Sequence, residues 1–472
     1  MNLLNLLCCD ISSGGITVAL FDSRLETKNI ADTDWHLETD ERGAATLSVE
    51  RIVDAFKTSI HNLNRTSADH LDAICIGTFL HNCVLLDDRS RPLTPVFTWL
   101  DHRGETGLEH LRTRLGDRFH DMTGCRYHPM FPVFKLASLR SDGSELLQRV
   151  KRIVSLKAFL INRLTATWCE DDGIASASGL FNVKNGKWDS EILDILDLDD
   201  SYLPSISSRT AIAGRLTPAA AAEFGLAAGI PVIVGSGDGF FANMGSECEL
   251  PERIAVTLGT SAVARQTLTL PVLDSSAGTF CYKADDGVFL LGCAGSNGGN
   301  VLDWGRKLFG KTRPVSDTDG DNDPPIFIPL LHGERSPDWD PHLTGSWHAL
   351  TSRHTSSDLS RSILEGVIFN LADFVGIIER ASRQEATDLV LSGNGFLDPM
   401  SGPILAAVTA KSTWMPQKPG LASLRGAGIC ALRALGEAVP ALKLNEVRPA
   451  QDARLLERYR EYGTLRRDHG RA

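Results

Sequence analysis

A chain of 472 residues, 42% hydrophobic and 23% charged, is long enough for two or three domains with buried cores, and its composition excludes disorder, collagen-like repeats and an extended coiled coil. The net charge of −11 argues against a general nucleic-acid or anionic-membrane binder, whose affinity rests on neutralising phosphate. No segment approaches the roughly 20 uncharged apolar residues of a membrane span, and ten scattered cysteines with no C-x-x-C pair or zinc spacing predict reduced, buried thiols in a cytoplasmic protein.

The first residues lack a basic region and their apolar run breaks at Asp10, so they read as a buried strand rather than a signal peptide. Runs at Leu3–Cys9, Ile16–Phe21, Ala73–Gly77 and Val84–Leu86 alternate with helical stretches, which predicts an α/β fold. The second half repeats the alternation, with apolar runs at Pro231–Gly235, Ile254–Leu258 and Leu389–Leu391. Within Leu359–Ile378, residues Ile363, Val367, Leu371, Phe374 and Ile378 form one helix face, with Ser356 or Ser357 to cap it. Asp317–Pro325 is expected to be an exposed loop. After a glycine-rich turn at Gly393 and Gly395, Asp398-Pro399 reads as the cap and first turn of a helix through Ile404–Val408. Asp10-Ile-Ser-Ser-Gly-Gly and Leu258-Gly-Thr-Ser-Ala make one strand–turn–strand unit in each half. The pair suggests a duplicated nucleotide-binding core with a cleft between the halves and a boundary near Asn243–Glu252.

Two glycine motifs are set aside. Gly305–Thr312 has the spacing of a phosphate loop with Lys311 and Thr312, but the residues before it continue a helix and Pro314 follows it, whereas a phosphate loop needs a strand before and a helix after. Gly237-Asp-Gly-Phe-Phe-Ala242 fits a loose dinucleotide pattern, yet Asp238 between its glycines would repel a pyrophosphate, and no acidic residue follows at the ribose position.

Eight segments, in order, resemble the FGGY carbohydrate kinases of the actin, hexokinase and Hsp70-like superfamily. Asp10-Ile-Ser-Ser-Gly-Gly-Ile-Thr-Val-Ala-Leu-Phe-Asp22 is similar to that family's D-I-G-T-T-S-T-K-A-V-L-F-D. Thr98–Arg103, Met130–Lys135, Ala175–Asn182, Gly237–Gly239 with Thr257–Ser261, Gly333–Pro337 and Ser392–Gly395 follow, so the resemblance runs from Asp10 to about Leu435. It implies a two-domain fold with a duplicated, ribonuclease H-like core and an active site in the interdomain cleft, divided at 1–245 and 246–472. It also implies ATP and Mg²⁺, a small-molecule sugar or sugar-acid substrate, no nucleic-acid or membrane partner, and a homodimer as the family's assembly.

Phosphoryl transfer to a hydroxyl requires two positioned substrates, neutralised phosphate charge and a base for the hydroxyl proton. By resemblance Asp238 is that base and a substrate and metal contact, and Asp10 is the Mg²⁺-associated carboxylate. Ser12, Ser13 and Gly14 in one half, and Gly259, Thr260 and Ser261 in the other, are the phosphate turns, while Gly299 and Gly393 let backbone approach the nucleotide. His81, Trp99, Asp101 and Lys135 occupy sugar-binding positions. Thr123–Pro132 and Gly295–Asn300 look most like the gluconate kinases, so transfer of the γ-phosphoryl group to gluconate is the expected reaction. Another kinase of the family, acting on xylulose, ribulose or a polyol, and a catalytically silent sugar-binding regulatory protein are the alternatives. The chain departs from the family at Ser12-Ser13-Gly14, at Thr17 in place of a cation, at Phe79-Leu80 in place of Gln-Met, and at Ser138 in place of Trp.

Overall fold

The computed structural model describes residues 4–63, 70–309 and 323–469. Two mixed sheets carry the architecture. The first contains β1 (Asn5–Ile11), β2 (Gly15–Asp22), β3 (Thr27–Asp34), β4 (Ala73–Thr78), β5 (Ile212–Arg215) and β6 (Pro231–Ile233), in the order β5-β6-β4-β1-β2-β3. The second contains β7 (Arg253–Leu258), β8 (Ala262–Leu268), β9 (Phe280–Asp285), β10 (Val288–Gly295), β11 (Asp388–Ser392), β12 (Ser412–Pro416) and β13 (Leu444–Glu446), in the order β9-β10-β8-β7-β11-β12-β13.

The echo between the halves is topological. In each, a first strand turns tightly into an antiparallel partner, a third strand extends that meander, and two parallel strands join on the other side of the first. The expected strand runs are all recovered, shifted by a residue or two at their ends. Strands buried on both faces read as unbroken apolar runs, which is why β1, β4 and β7 are legible in the sequence.

Helix α1 (Val49–Asn62) is capped by the Ser48 side chain and packs its apolar stripe on the first sheet. Helices α2 (Pro132–Ser141), α3 (Leu156–Thr165) and α4 (Asp238–Gly245) follow in the first half, and α5 (Gly299–Phe309) opens the helical layer of the second. Helix α6 (Ser356–Ser382) buries Ile363, Val367, Leu371, Phe374 and Ile378. Its cap corrects the sequence reading. Thr355, not Ser356 or Ser357, accepts from the Asp358 amide while the Asp358 carboxylate accepts from the Thr355 amide, a reciprocal box that two serines could not close.

Helix α7 (Ser401–Thr409) also starts later than expected. Asp398 ends a short 3₁₀ turn over Asn394–Leu397, and its side chain and carbonyl take the amides of Met400 and Ser401, so Pro399 lies in a turn before the helix. Helix α8 (Ala422–Ala434) comes late in the chain yet packs on the first sheet: Leu424, Ala427 and Cys430 join Leu6, Cys8 and Cys75 in one cluster. It lies against α4 so closely that a Cβ on Gly245 would be 1.9 Å from the Ala422 oxygen, and one on Gly426 would be 2.0 Å from the Phe241 oxygen.

All ten cysteines are unpaired and buried. Among the described residues no helix is long and apolar enough to cross a membrane. Gly310, Lys311 and Thr312 of the discounted phosphate-loop pattern, and positions 317–322 of the expected loop, lie outside the described residues.

Candidate active site

The site begins at the end of β6. There Val234 to Gly237 turn into α4, and Asp238 is that helix's first residue. Gly235 has φ +67°, and a Cβ on it would be 2.2 Å from the Ile76 oxygen; one on Gly237 would be 2.2 Å from Leu80 Cδ2. Only glycines let the turn pass this close to the sheet. The buried Lys157 of α3 donates to the carbonyls of Val234 and Gly235 at 3.0 and 3.2 Å, and Ser236 Oγ donates to Asp171 Oδ2 at 2.5 Å. The chain that presents Asp238 is therefore held by its backbone and by a side chain.

Asp238 Oδ1 accepts from the Gly239 amide at 2.6 Å. Burial pushes its carboxyl up to about 6, against the opposing pull of the Arg265 guanidinium and that amide bond. Asp10, near the end of β1, is pushed up to about 7, first by burial and then by the negative charge of Asp238, with the Ser423 hydroxyl pulling it down. Asp10 Oδ1 is buried with no hydrogen-bond partner.

A cavity of about 310 Å³ lies between the two sheets. Ser12 and Ser13 line it from the β1–β2 turn, Gly259, Thr260 and Ser261 from the β7–β8 turn, and Asp238 from between them. The Ser12 hydroxyl also closes its own turn, donating to the Gly15 carbonyl and accepting from the amides of Gly14 and Gly15. Gly14 belongs to this turn without lining the cavity. Gly299 and Gly393 lie behind the second turn: the Gly299 amide donates to the Gly259 carbonyl at 2.8 Å, and a Cβ on Gly393 would be 2.4 Å from the Leu258 oxygen. Asp10 lines a second groove, of about 530 Å³, with Thr17, Asn394 and Gln417–Leu421.

Of the expected sugar-side residues, His81 and Trp99 line the central cavity. His81 Nδ1 is 2.8 Å from the Ala177 carbonyl, which can only accept, so the proton is on Nδ1 and Nε2 is an acceptor. Burial pushes the ring down to about 3, which keeps it neutral. Asp101 and Lys135 are elsewhere, together around a separate pocket of about 140 Å³. Asp101 is paired with Arg103 at 2.5 Å. Lys135, pushed down to about 8 by burial, donates to the carbonyls of Pro129 and Met130, and so bears on the cavity through Met130, which lines it. Ser138 brings no ring to the site; its hydroxyl accepts from the Gly107 amide at 2.7 Å, across a helix contact so close that a Cβ on Gly107 would be 2.5 Å from the Ser138 amide nitrogen.

The structure adds residues that the sequence reading left without a role. Arg265 of β8 lies over Gly239, bonded to Thr257 Oγ1 at 3.1 Å, and Arg335 lines the same cavity with Phe280 and Tyr282. Arg335 stood in a quoted motif; Arg265 was legible only through the alternation that turns Val263 and Arg265 to the same side of β8.

The unpartnered Asp10 oxygen and the proximity of Asp238 fit a hard divalent cation held by few protein carboxylates, the usual case for Mg²⁺, which keeps waters and phosphate oxygens as its other ligands. No cluster of three or more such ligands exists among the described residues.

Comparison with known proteins adds the following. The profile of the FGGY family of carbohydrate kinases, N-terminal domain, matches residues 6–245, and that of the C-terminal domain matches residues 254–435. A gluconokinase of Bacillus subtilis (strain 168) is 29% identical over 384 residues, 77% of this chain and 74% of the relative. A xylulose kinase of Escherichia coli (strain K12) is 27% identical over 396 residues, 80% of this chain and 81% of the relative. Among solved structures, a gluconate kinase from Lactobacillus acidophilus superposes with a TM-score of 0.91 at 24% identity, over 99% of both chains. Plasmodium falciparum glycerol kinase with ADP superposes with a TM-score of 0.84 at 18% identity, over 99% of this chain and 98% of that one. These likenesses assign the two mixed sheets to the two-domain, actin-like ATPase fold.

Proposed function

The chain belongs to the FGGY family of carbohydrate kinases, ATP-dependent phosphotransferases, and from that premise we propose that it phosphorylates the terminal hydroxyl of gluconate to give 6-phosphogluconate. The observation that carries the reaction is the position of Asp238 in one cavity between the two phosphate turns. The acceptor hydroxyl lies against Asp238, whose carboxylate takes its proton as the oxygen bonds to the γ-phosphorus. The bond from that phosphorus to the bridging oxygen breaks, and ADP leaves. The turns Ser12-Ser13-Gly14 and Gly259-Thr260-Ser261 hold the phosphates, chiefly through Ser13, Thr260 and Ser261 on the cavity wall, and Arg265 beside the base balances the charge that gathers on the transferred group. His81 accepts from, and Trp99 packs on, the sugar, with Asp101 and Lys135 supporting that wall. Mg²⁺ would be held by Asp10 with Asp238, where it supplies charge neutralisation for the phosphates.

Gluconate is favoured by the gluconokinase relative and by the segments Thr123–Pro132 and Gly295–Asn300. Phe79, which lines the cavity in place of the family's amide, favours a less polar acceptor, and a pentulose or polyol is the second reading. A silent sugar-binding protein would have no use for a buried base and two phosphate turns in one cavity. We place the enzyme in the cytoplasm, in keeping with its unpaired thiols, as a homodimer. ADP release measured over gluconate, xylulose, ribulose, glycerol and other polyols tests the reading. Gluconate with the highest kcat/KM supports it; turnover of a ketose without gluconate moves the chain to another branch, and sugar binding without ATP binding or turnover to the silent class.

A further inference from the structure

We infer that helix α9 (Leu455–His469), the last described element, positions the segment Gly333–Pro341 against the sugar wall of the cavity, with Tyr462 and Arg466 as its positioning residues. The family profile of the C-terminal domain ends at residue 435, so the family assignment gives this helix no part in the site. Yet the buried side chains of Tyr462 and Arg466 both lead to that one segment.

The segment is where the second half reaches across to the first. Arg335 Cζ stands 5.1 Å from the centre of the Trp99 ring, and the Trp339 ring centre is 5.8 Å from that of His128 and 6.5 Å from that of Phe131. Phe131 in turn meets His81 edge-on, and His81 and Trp99 line the cavity. The reach is not self-supporting. Trp339 has φ +55°, a left-handed conformation that a bulky residue keeps only where its surroundings impose it. Its indole Nε1 donates to the Gly278 carbonyl at 2.8 Å, which holds the ring, and the preceding residue, Asp338, is held by its ion pair with Arg466.

A relay holds the other end. Glu334 is buried; its Oε1 accepts from the amides of Ser296 at 2.6 Å and Arg335 at 2.9 Å, and its Oε2 accepts from Asn370 Nδ2 at 2.9 Å. With Nδ2 committed to a carboxylate, Asn370 offers only Oδ1 to Tyr462, whose hydroxyl donates to it at 3.3 Å. The phenol thus fixes which way the amide faces, since a reversed amide would set its oxygen against the carboxylate. Tyr462 is locked in turn, fully buried with its ring 5.5 Å from that of Phe369. Glu334 and Asp338 flank Arg335, so the helix grips the segment on both sides of the residue that enters the cavity. Among the described residues neither anchor is bonded to a phosphate turn, so the loss of either should be felt by the sugar before ATP.

The inference rests on the kinase reading of the cavity, and the sugar is whichever one the ADP-release panel selects. Tyr462→Phe removes only a hydroxyl, and Asp338→Asn cuts the ion pair from its partly exposed side. Each should raise the KM for the sugar by about 3- to 10-fold, the worth of one hydrogen bond, and leave the KM for ATP within about 2-fold of the wild type. Arg466→Lys, which keeps the charge, should stay nearer the wild type than Arg466→Gln. A merely looser fold lowers the active fraction, which reduces kcat and moves neither KM. An unchanged sugar KM in both Tyr462→Phe and Asp338→Asn, an equal rise in the two KM values, or a rise for ATP alone overturns the inference. A wild type that binds sugar without turnover overturns the kinase reading instead, and the same comparison is then read from the Kd for the sugar.

Discussion

Lys157 Nζ lies 2.5 Å from Asp171 Oδ1, and neither side chain has any exposure to solvent. The same ammonium is 3.0 Å from Glu170 Oε1 and donates to two carbonyls of the turn that leads to Asp238. Burial alone would lower its affinity for the proton, but the two carboxylates carry it above the ordinary lysine range. Asp171 reaches the same turn through Ser236.

Removing the cation strands two buried carboxylates. Lys157→Met should therefore cost about 3–5 kcal/mol in urea unfolding, and its folded fraction should lose kcat more than affinity for ATP. Ser236→Ala, which deletes one bond, should cost about 1 kcal/mol and lower kcat severalfold. A Lys157→Met protein within about 1 kcal/mol of the wild type would show that the pair does not brace the turn.

Asp238→Asn should lower kcat by about 10²- to 10⁴-fold, the usual share of a general base, while raising stability at neutral pH. The folded chain holds the Asp238 proton up to about pH 6, whereas an unfolded chain releases it near 3.8. Between those values the folded state carries the extra proton, so this group's contribution falls as pH rises and is unfavourable above about pH 6. The melting difference between Asp238→Asn and the wild type, measured without Mg²⁺, should thus grow from pH 4 to about 7, reaching on the order of 3 kcal/mol. A pH-independent difference would contradict it.

The second phosphate turn depends on a close approach. A Cβ on Gly299 would be 2.5 Å from the Gly259 oxygen to which the Gly299 amide donates, so Gly299→Ala must push that turn aside. The KM for ATP should rise by about 10-fold or more, 1.4 kcal/mol or above, with a smaller change for the sugar. Steady-state kinetics with each substrate varied decide it; equal effects on both would mean a general loss of the fold.

Gly426→Val places a side chain where the Phe241 backbone already lies 2.0 Å from the Cβ position. Forcing α4 and α8 apart should cost about 1–3 kcal/mol and lower kcat as well, because Asp238 is the first residue of α4. Guanidinium unfolding with parallel kinetics tests this, and a stable, fully active variant would refute it.

Sequence periodicity reached the elements, while the candidate site residues came from the resemblance to the family's motifs. The strands were legible because those buried on both faces are written as unbroken apolar runs, and the two hairpin turns because small residues interrupt those runs in the same way twice. The groups that brace the turn before Asp238 were hidden for a different reason. Lys157 stands in the apolar run Leu156–Ile161 as the only charge, a signal whose meaning depends on Asp171 and Val234 being brought to it by the fold. Asp101 and Lys135 lie within a few residues of Trp99 and Met130, which line the cavity, yet they point into a neighbouring pocket; proximity in sequence fixes the backbone and not the direction of a side chain.

The late helix Ala422–Ala434 has a consequence for how the protein is made. The sheet it covers is complete once Ile233 has been synthesised, but the face formed by Leu6, Cys8 and Cys75 waits for Leu424, Ala427 and Cys430. At roughly 5–20 residues per second, that wait lasts on the order of ten seconds or more on the ribosome. During it an apolar surface is open to chaperones and to neighbouring nascent chains, and a ribosome that stalls before Ala422 leaves a product that is aggregation-prone rather than half an enzyme.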